Sequence, residues 1–404
     1  MNKYFIFILV LWIISPISAI LAIFIYINQV KLREQDIIKC FFLISSSMAL
    51  LAFTQKSISA GIDTDIQRYY DEFSYLENSS FDILPLLFSE SILTYSFTCI
   101  NCILVILTKN VQIISLFWIF IIYYFHYLTF VEIMKHEQIP LSKTNIFLLA
   151  TFSIFGAILF TQVTETIKTA AAFSLFFYVL TKYIYGWNLY KILASMFIII
   201  GIHSMTLMLT PLFFYKKFNT DLLIILFLII VILSPFINLM SLAMKVIPDI
   251  GFMSLLVAKA EDYSNFAGED TTKRYIIISL FLFFYLMILY KKGVLKANKY
   301  QNIVLVYLII TWLNYNNSHA FIRFINFATF MIMFEFIFLL RYYKVKSYII
   351  IFFISFFLLT NFQMTKGRTT KGNYASSYMD NSLSKIFLSS IYDYWSYDAY
   401  HTAK

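Results

Sequence analysis

The sequence predicts an all-α, polytopic transmembrane helical bundle, and three observations carry that expectation. Of 404 residues, 60% are hydrophobic and only 13% charged, where an ordinary globular domain has about 25% charged residues. Such an excess cannot be enclosed in one water-soluble core and must face lipid. The apolar residues also come in long runs, close to the roughly 20 residues a helix needs to cross the hydrocarbon with every backbone group bonded internally. Finally, 9 Gly and 6 Pro leave little room for linkers, so the spans belong to one integral domain.

Tyr4 to Ile27 is the expected first membrane helix. It is too long for the roughly 7–15-residue apolar core of a signal peptide and is preceded by a single Lys3. Further spans are expected near 37–54, 113–134, 145–163, 167–183, 220–242, 273–290, 302–316, 319–340 and 347–361. The stretch 83–107 carries Pro85, Glu90 and Asn101 and reads as a tilted or half-inserted helix. Residues 191–215 are apolar between Lys191 and Lys216-Lys217, with His203-Ser204 at the centre, and read as two short arms of a hairpin. That makes about 11–13 membrane segments.

Lysine and arginine orient the bundle. The short loops 28–39, 135–144, 182–191, 216–221, 291–301 and 341–346 hold 16 of the 31 basic residues, so they belong on the cytoplasmic side. A single crossing at 191–215 would put Lys291-Lys292 on the wrong side, which is why a hairpin is expected there. Both termini then lie outside, with extracytoplasmic loops at 55–82 and 243–272. Residues 1–361 form the transmembrane domain carrying the active cavity, and 362–404 form a Tyr-rich extracytoplasmic tail. The net charge of +9 is spread over short clusters between apolar runs, so the partner it points to is the lipid bilayer and not nucleic acid. Cys40, Cys99 and Cys102 have no His or Asp cluster at ligand spacing, so neither a metal nor a disulfide framework follows, and no cofactor is expected.

The most polar segment runs from Gly61 to Phe73. If it enters a helix near Thr64, then Asp65, Arg68, Tyr69 and Phe73 share one stripe, giving a carboxylate, a guanidinium and an aromatic face suited to a sugar. The plainer alternative is an N-capping Asp and a solvated ion pair. Glu165 and Lys168 stand at i and i+3 at the outer start of a span, where Lys168 would neutralise a phosphate or simply pair with Glu165. His203, at the expected apex of the hairpin, is a candidate proton acceptor or a packing residue. Arg323 enters a span just after Asn316-Asn317-Ser318-His319, and a guanidinium at that depth suits a bidentate phosphate unless it snorkels to the surface. His319, one turn earlier, would share its site, and Glu90 would line the edge of the cavity. Glu335, deep in a span, reads as a structural pairing. There is no phosphate-cradling glycine loop and no serine nucleophile elbow.

Several of these segments, in this order, resemble the Wzy-type O-antigen polymerases and the related EpsG-like membrane proteins of bacterial polysaccharide synthesis. In those proteins a polar loop after the second span carries an Asp followed four residues later by Tyr, which Asp65 and Tyr69 match, with Asp63 as a second candidate for the Asp. A basic residue followed by small residues opens a span, as Lys168 does before Ala170-Ala171-Ala172. A His-Ser pair and a late Arg with aromatic neighbours match His203-Ser204 and Arg323-Phe324. One departure is Lys168-Thr169 where the family often has Arg-Gln, and lysine offers a point charge in place of a bidentate fork.

The resemblance implies a glycosyltransferase acting at the periplasmic face of the bacterial inner membrane. Its reaction would be inverting and metal-independent, with undecaprenyl-diphosphate-linked glycans as donor and acceptor and a chain-length regulator protein as a partner. The acceptor hydroxyl attacks the anomeric carbon as the polyprenyl diphosphate leaves. On that reading Arg323, Lys168 and Arg68 hold the diphosphate, and His203 or Asp65 is the base or orients the acceptor. Tyr69, Glu165, His319, Asp63 and Glu90 line the substrate site. A flippase for lipid-linked glycans, an O-antigen ligase and a membrane O-acyltransferase stay open as alternatives.

Overall fold

Helices follow the apolar runs throughout the described part of the computed structural model, which comprises residues 3–29, 33–57, 65–78, 94–154, 158, 160–236, 299–317, 320–321, 323–325, 327, 376–378 and 383–400. In chain order the elements are α1 (Lys3–Ile14), α2 (Pro16–Gln29), α3 (Glu34–Phe53), β1 (Gln55–Ser57) and α4 (Asp65–Phe73), the last continued by a 3₁₀ turn at Ser74–Glu77. Then come α5 (Tyr95–Thr108), α6 (Ile113–His136), α7 (Lys143–Phe152), α8 (Phe160–Glu165), α9 (Ile167–Ile184) and α10 (Leu189–Ile202). A 3₁₀ stretch at Ser204–Lys217 leads to α11 (Thr220–Leu233) and α12 (Lys299–Leu313), followed by β2 (Ser376–Tyr378), α13 (Leu383–Leu388) and α14 (Ile391–Ser396). The chain divides into two units, Met1–Thr206 with Lys344–Lys404, and Leu207–Tyr343.

Three helices of the first unit, α3, α6 and α9, are long and apolar enough to cross a bilayer, and six shorter apolar helices accompany them among the described residues. The protein is thus an all-α membrane protein, with one small two-stranded ribbon. Helix α6 packs against both α3 and α9. The approach to α9 is close because Ala170, Ala171, Ala172 and Ser174 are all buried, and the Ser174 hydroxyl donates to the Ile122 carbonyl at 2.7 Å. In a medium as apolar as the side chains themselves, such small residues let backbones meet and gain dispersion and hydrogen bonds. Toward α3 the contact is aromatic, with Phe41 stacked on Tyr127 at 4.2 Å.

At one end of these helices Glu132 Oε1 takes Lys182 Nζ at 2.8 Å and His136 Nε2 at 3.0 Å, while Lys135 reaches Glu34 at 3.2 Å. This network ties the last turns of α6 and α9 to the first turn of α3. Glu132→Ala strands Lys182, whose side chain is only 18% exposed. The expected cost is about 1–2 kcal/mol, less than a fully buried pair loses because both side chains keep some contact with solvent, seen as a lower Tm in detergent.

The expected first span, 4–27, is instead two helices. The Ser15 N–H donates to the Leu11 carbonyl at 2.7 Å, and its own carbonyl accepts from Ala19 at 2.9 Å, so Ser15 closes α1 and opens α2. Pro16 occupies the first helical position of α2, where no N–H is needed. Lys39 Nζ lies over the Phe5 ring at 5.7 Å and Trp12 Nε1 donates to Ser47 Oγ at 3.0 Å, so α1 runs beside α3 in the same direction. Helix α2 returns, with Phe24 against Phe147 near the start of α7. The N-terminal end of α1 therefore lies with the start of α3, contrary to the topology read from one uninterrupted span. A run of 24 apolar residues conceals the bend, because a proline that costs nothing at a helix start leaves no mark on hydropathy.

The expected loop 55–82 is structured where described: β1 pairs antiparallel with β2, Gln55 opposite Tyr378, and α4 follows. The tail packs on this same end of the first unit. Trp395 stacks on Phe53 at 5.1 Å, and Ser390 and Asp393 form a reciprocal cap on α14. Those hydrogen bonds from Ser390 hold the Asp393 carboxyl below the ordinary carboxylate range, so their contribution is present above that range and fades as pH falls through the lowered value. Loop 243–272 and the expected spans at 273–290 and 347–361 lie outside the described residues, as does most of 319–340.

In the second unit α11 and α12 pack together. Asn302 Nδ2 donates to the Tyr215 and Phe218 carbonyls at 3.1 and 2.8 Å and its Oδ1 accepts from Thr220 at 2.7 Å, while Asn316 Nδ2 donates to the Ser234 carbonyl at 2.8 Å. Amides thus tie the pair at both ends, replacing the water that lipid cannot supply.

Candidate functional site

The site begins with α4, whose sequence Asp65-Ile66-Gln67-Arg68-Tyr69-Tyr70-Asp71-Glu72-Phe73 is amphipathic at helical spacing. Ile66, Tyr69, Tyr70 and Phe73 are buried, and the charged residues lie toward its open side. The helix starts at Asp65, as the polar spacing predicts. The Tyr70 hydroxyl donates to Ser115 Oγ at 2.8 Å, at the first turn of α6, which sets α4 over the end of the bundle opposite Glu132. Asp65 Oδ1 and Arg68 form an ion pair at 3.0 Å, with the Arg68 side chain 58% exposed. The pair is the partly solvated one that the plainer alternative expects. Burial pulls the Arg68 guanidinium down, but Asp65, Tyr69 and Glu72 outweigh it and hold the group above its ordinary value, so it is a permanent cation.

Lys168, the second residue of α9, points at α4. Its Nζ lies over the Tyr69 ring at 5.0 Å and over the Phe97 ring at 4.6 Å. Arg68 Cζ lies over the same Tyr69 ring at 5.3 Å, and its NH2 group reaches the Tyr69 hydroxyl at 3.4 Å. Two cations from segments a hundred residues apart thus share one aromatic ring. A lysine in the first turn of a helix meets the positive end of the helix dipole, so local electrostatics disfavour it there. The ring faces of Tyr69 and Phe97 offset that, each at up to about 2 kcal/mol when desolvated. The result is a concentration of positive charge at a helix mouth, suited to an anion with several oxygens.

The floor beneath Lys168 was not legible as a site in the sequence. Phe97 stacks on Trp118 at 5.2 Å, Tyr69 tilts against Phe97 at 5.1 Å, and Trp118 Nε1 donates to Asn101 Oδ1 at 2.7 Å. Phe97 and Asn101, one turn apart on α5, both meet Trp118 of α6. A buried Asn one turn from an aromatic was the available signal.

His203 follows α10 directly. With φ −152° and ψ 115° it is extended, so the helix breaks where the apex of the hairpin was expected, and α10 alone, about 21 Å long, is too short to span. Its Nδ1 accepts the Met205 N–H at 3.2 Å, and its carbonyl accepts the Thr206 N–H and hydroxyl at 3.1 and 2.7 Å. With Nδ1 an acceptor, the proton of a neutral ring sits on Nε2, which makes the outer nitrogen a donor. Helix α10 packs on α5, where Gly201 lies so close to Ser96 that an added Cβ would strike its hydroxyl. His203 is thereby brought to the helix that carries Phe97. Gly201→Ala is expected to cost about 1–3 kcal/mol by overpacking, read as a lower Tm, and Gly201→Ala with Ser96→Gly recovers most of it.

Arg323 belongs to the second unit. Asn317 Oδ1 accepts the Ala320 N–H at 3.0 Å and so opens the helix that carries it, and the Tyr307 hydroxyl donates to the Phe324 carbonyl at 2.6 Å. The backbone at Glu165 ends α8, immediately before α9; its side chain, and Asp63, Glu90 and His319 altogether, lie outside the described residues, as does Glu335. Of the ten sequence-selected residues, Asp65, Arg68, Tyr69 and Lys168 form one group, and His203 stands at the end of a helix packed beside it. Among the described residues no three His, Cys, Asp or Glu side chains are grouped to hold a metal ion.

No curated protein and no solved structure matches the chain. The model of the EpsG family matches residues 41–379, a region that contains α4, Lys168, His203 and Arg323 alike. With well over half its length covered, the chain belongs to the EpsG family, a family of polysaccharide polymerase-like membrane proteins.

Proposed function

We propose that this protein is a polysaccharide polymerase that joins undecaprenyl-diphosphate-linked repeat units at the outer face of the bacterial inner membrane, by inverting, metal-independent glycosyl transfer. The observation that carries the reading is the pair of cations, Lys168 and Arg68, held against the one ring of Tyr69 where α4 meets the bundle. A diphosphate leaving from an anomeric carbon gathers charge in the transition state, and fixed cations there stabilise it by several kcal/mol without reorganising. Lys168 and Arg68 take this role. The aromatic floor of Tyr69 and Phe97 keeps the lysine extended and offers a face for sugar C–H groups. Asp65, held by Arg68, orients the acceptor hydroxyl and takes its proton as the oxygen attacks the anomeric carbon and the diphosphate leaves, and His203 donates a hydrogen bond from Nε2. The end of the bundle bearing Glu34, Lys135 and Lys182 faces the cytoplasm and the α4 end faces the periplasm, as the positive-inside rule directs.

Farnesyl diphosphate, a short soluble polyprenyl diphosphate, tests the reading on the purified protein in detergent. Wild type is expected to bind it and to ignore farnesol. Lys168→Ala and Arg68→Ala should each weaken binding about tenfold, the loss of one charge-assisted contact. Equal affinity for farnesol, or unchanged affinity in both variants, rejects it.

A further inference from the structure

The C-terminal segment 383–400 lies wholly beyond the region matched by the family, which ends at residue 379. It nevertheless reaches four elements of the first unit in succession. Ser15 and Ser18, around the start of α2, both donate to the Phe387 carbonyl at 2.5 Å. Trp395 covers Phe53 at the end of α3. At the start of α6 the buried Gln112 gathers the chain: its Nε2 donates to the Phe53 and Tyr397 carbonyls at 2.7 and 3.0 Å, and its Oε1 accepts the Ala399 and Tyr400 N–H groups at 2.9 and 3.4 Å. Tyr400 then ends on α4. Its hydroxyl donates to Asp71 Oδ1 at 2.8 Å, and its ring stands edge-on to Tyr70 at 5.9 Å, with both rings fully buried.

Tyr70 and Asp71 immediately follow Tyr69, the ring shared by the two cations. Helix α4 has nine residues, too few to hold its shape by backbone bonds alone, so packing must fix it. We propose that segment 383–400 is a clasp that holds α4 in register over the bundle, and that Tyr400 is the positioning residue through which it sets the Arg68–Tyr69–Lys168 group. This rests on the reading of that group as the diphosphate site. The clasp acts on substrate only through α4: a shift of about 1 Å in a binding group is enough to weaken a charge-directed contact severely.

Hydrogen exchange and farnesyl diphosphate affinity, measured on the full-length protein, separate this from a general effect on folding. Tyr400→Phe keeps the ring and removes the bond to Asp71. It is expected to raise exchange in residues 65–77 about tenfold, leave exchange in α6 and α9 and the thermal midpoint unchanged, and weaken farnesyl diphosphate binding about 3–10-fold. Tyr400→Ala should exceed it on all counts, and Asp71→Asn, which retains an acceptor, should fall short of it. Unchanged exchange in α4, a rise spread evenly over α6 and α9, or looser α4 with undiminished affinity overturns the clasp. If wild type fails to bind farnesyl diphosphate, the diphosphate reading falls, and the exchange pattern alone decides whether the tail holds α4.

Discussion

On the proposed function, Lys168→Ala is expected to reduce polymer to below about 1% of wild type, the loss that follows when one fixed charge is removed from a developing anion in a water-poor site. In cells the surface polysaccharide then shows single repeat units in place of a ladder on a gel. The argument is geometric. The Lys168 ammonium is placed by two ring faces, Tyr69 at 5.0 Å and Phe97 at 4.6 Å, at the start of a helix. Lys168→Arg is expected to keep most activity, since a guanidinium stacks on the same rings and offers a fork to the diphosphate. Lys168→Gln, which fills similar space without charge, should resemble the alanine variant. Long chains surviving in both uncharged variants would remove Lys168 from the reaction.

His203 provides the second large effect and a choice between two chemistries. A general base at Nε2 needs its proton on Nδ1, but the Met205 N–H at 3.2 Å already points to Nδ1. The ring so held presents an Nε2–H donor. Glutamine places an N–H near the same position, so His203→Gln is expected to retain about a tenth of wild-type rate, whereas His203→Ala loses about 10²-fold. The pH profile gives an independent reading. A base stops working once protonated at acid pH, but a donor keeps its N–H in either state, so the acid limb of the wild-type profile should persist unchanged in His203→Gln. Equal loss in both variants, with the acid limb abolished, would assign His203 to proton abstraction and require Nδ1 to release Met205.

Several residues of the candidate site are legible in the sequence, because their groups obey local rules. The amphipathic spacing around Asp65 and Tyr69 marks a helix, a lysine before three alanines marks a span mouth, and a histidine in an apolar run marks a break. Each of these depends on residues within two turns of one another. What the spacing could not convey is that Lys168 and Arg68 meet on a single ring. That meeting depends on contacts between α4, α5 and α9, with Phe97 packed between Trp118, Tyr69 and the lysine. The turn at Ser15-Pro16 escaped for a related reason, since hydropathy averages over a run and is blind to where its hydrogen bonds are handed from one helix to the next.

The amino-acid order by itself determined that this chain lives in a membrane, that it is helical, and which charged residues lie at the ends of its spans, since these follow from transfer free energy and from helical periodicity along the chain. Tertiary structure decided which of those charges lie together, which way the first helix runs, and that segment 383–400 returns to contact α4. Those outcomes turn on contacts between residues separated by tens to hundreds of positions, such as Tyr400 with Asp71, and no local pattern encodes a distance across the fold.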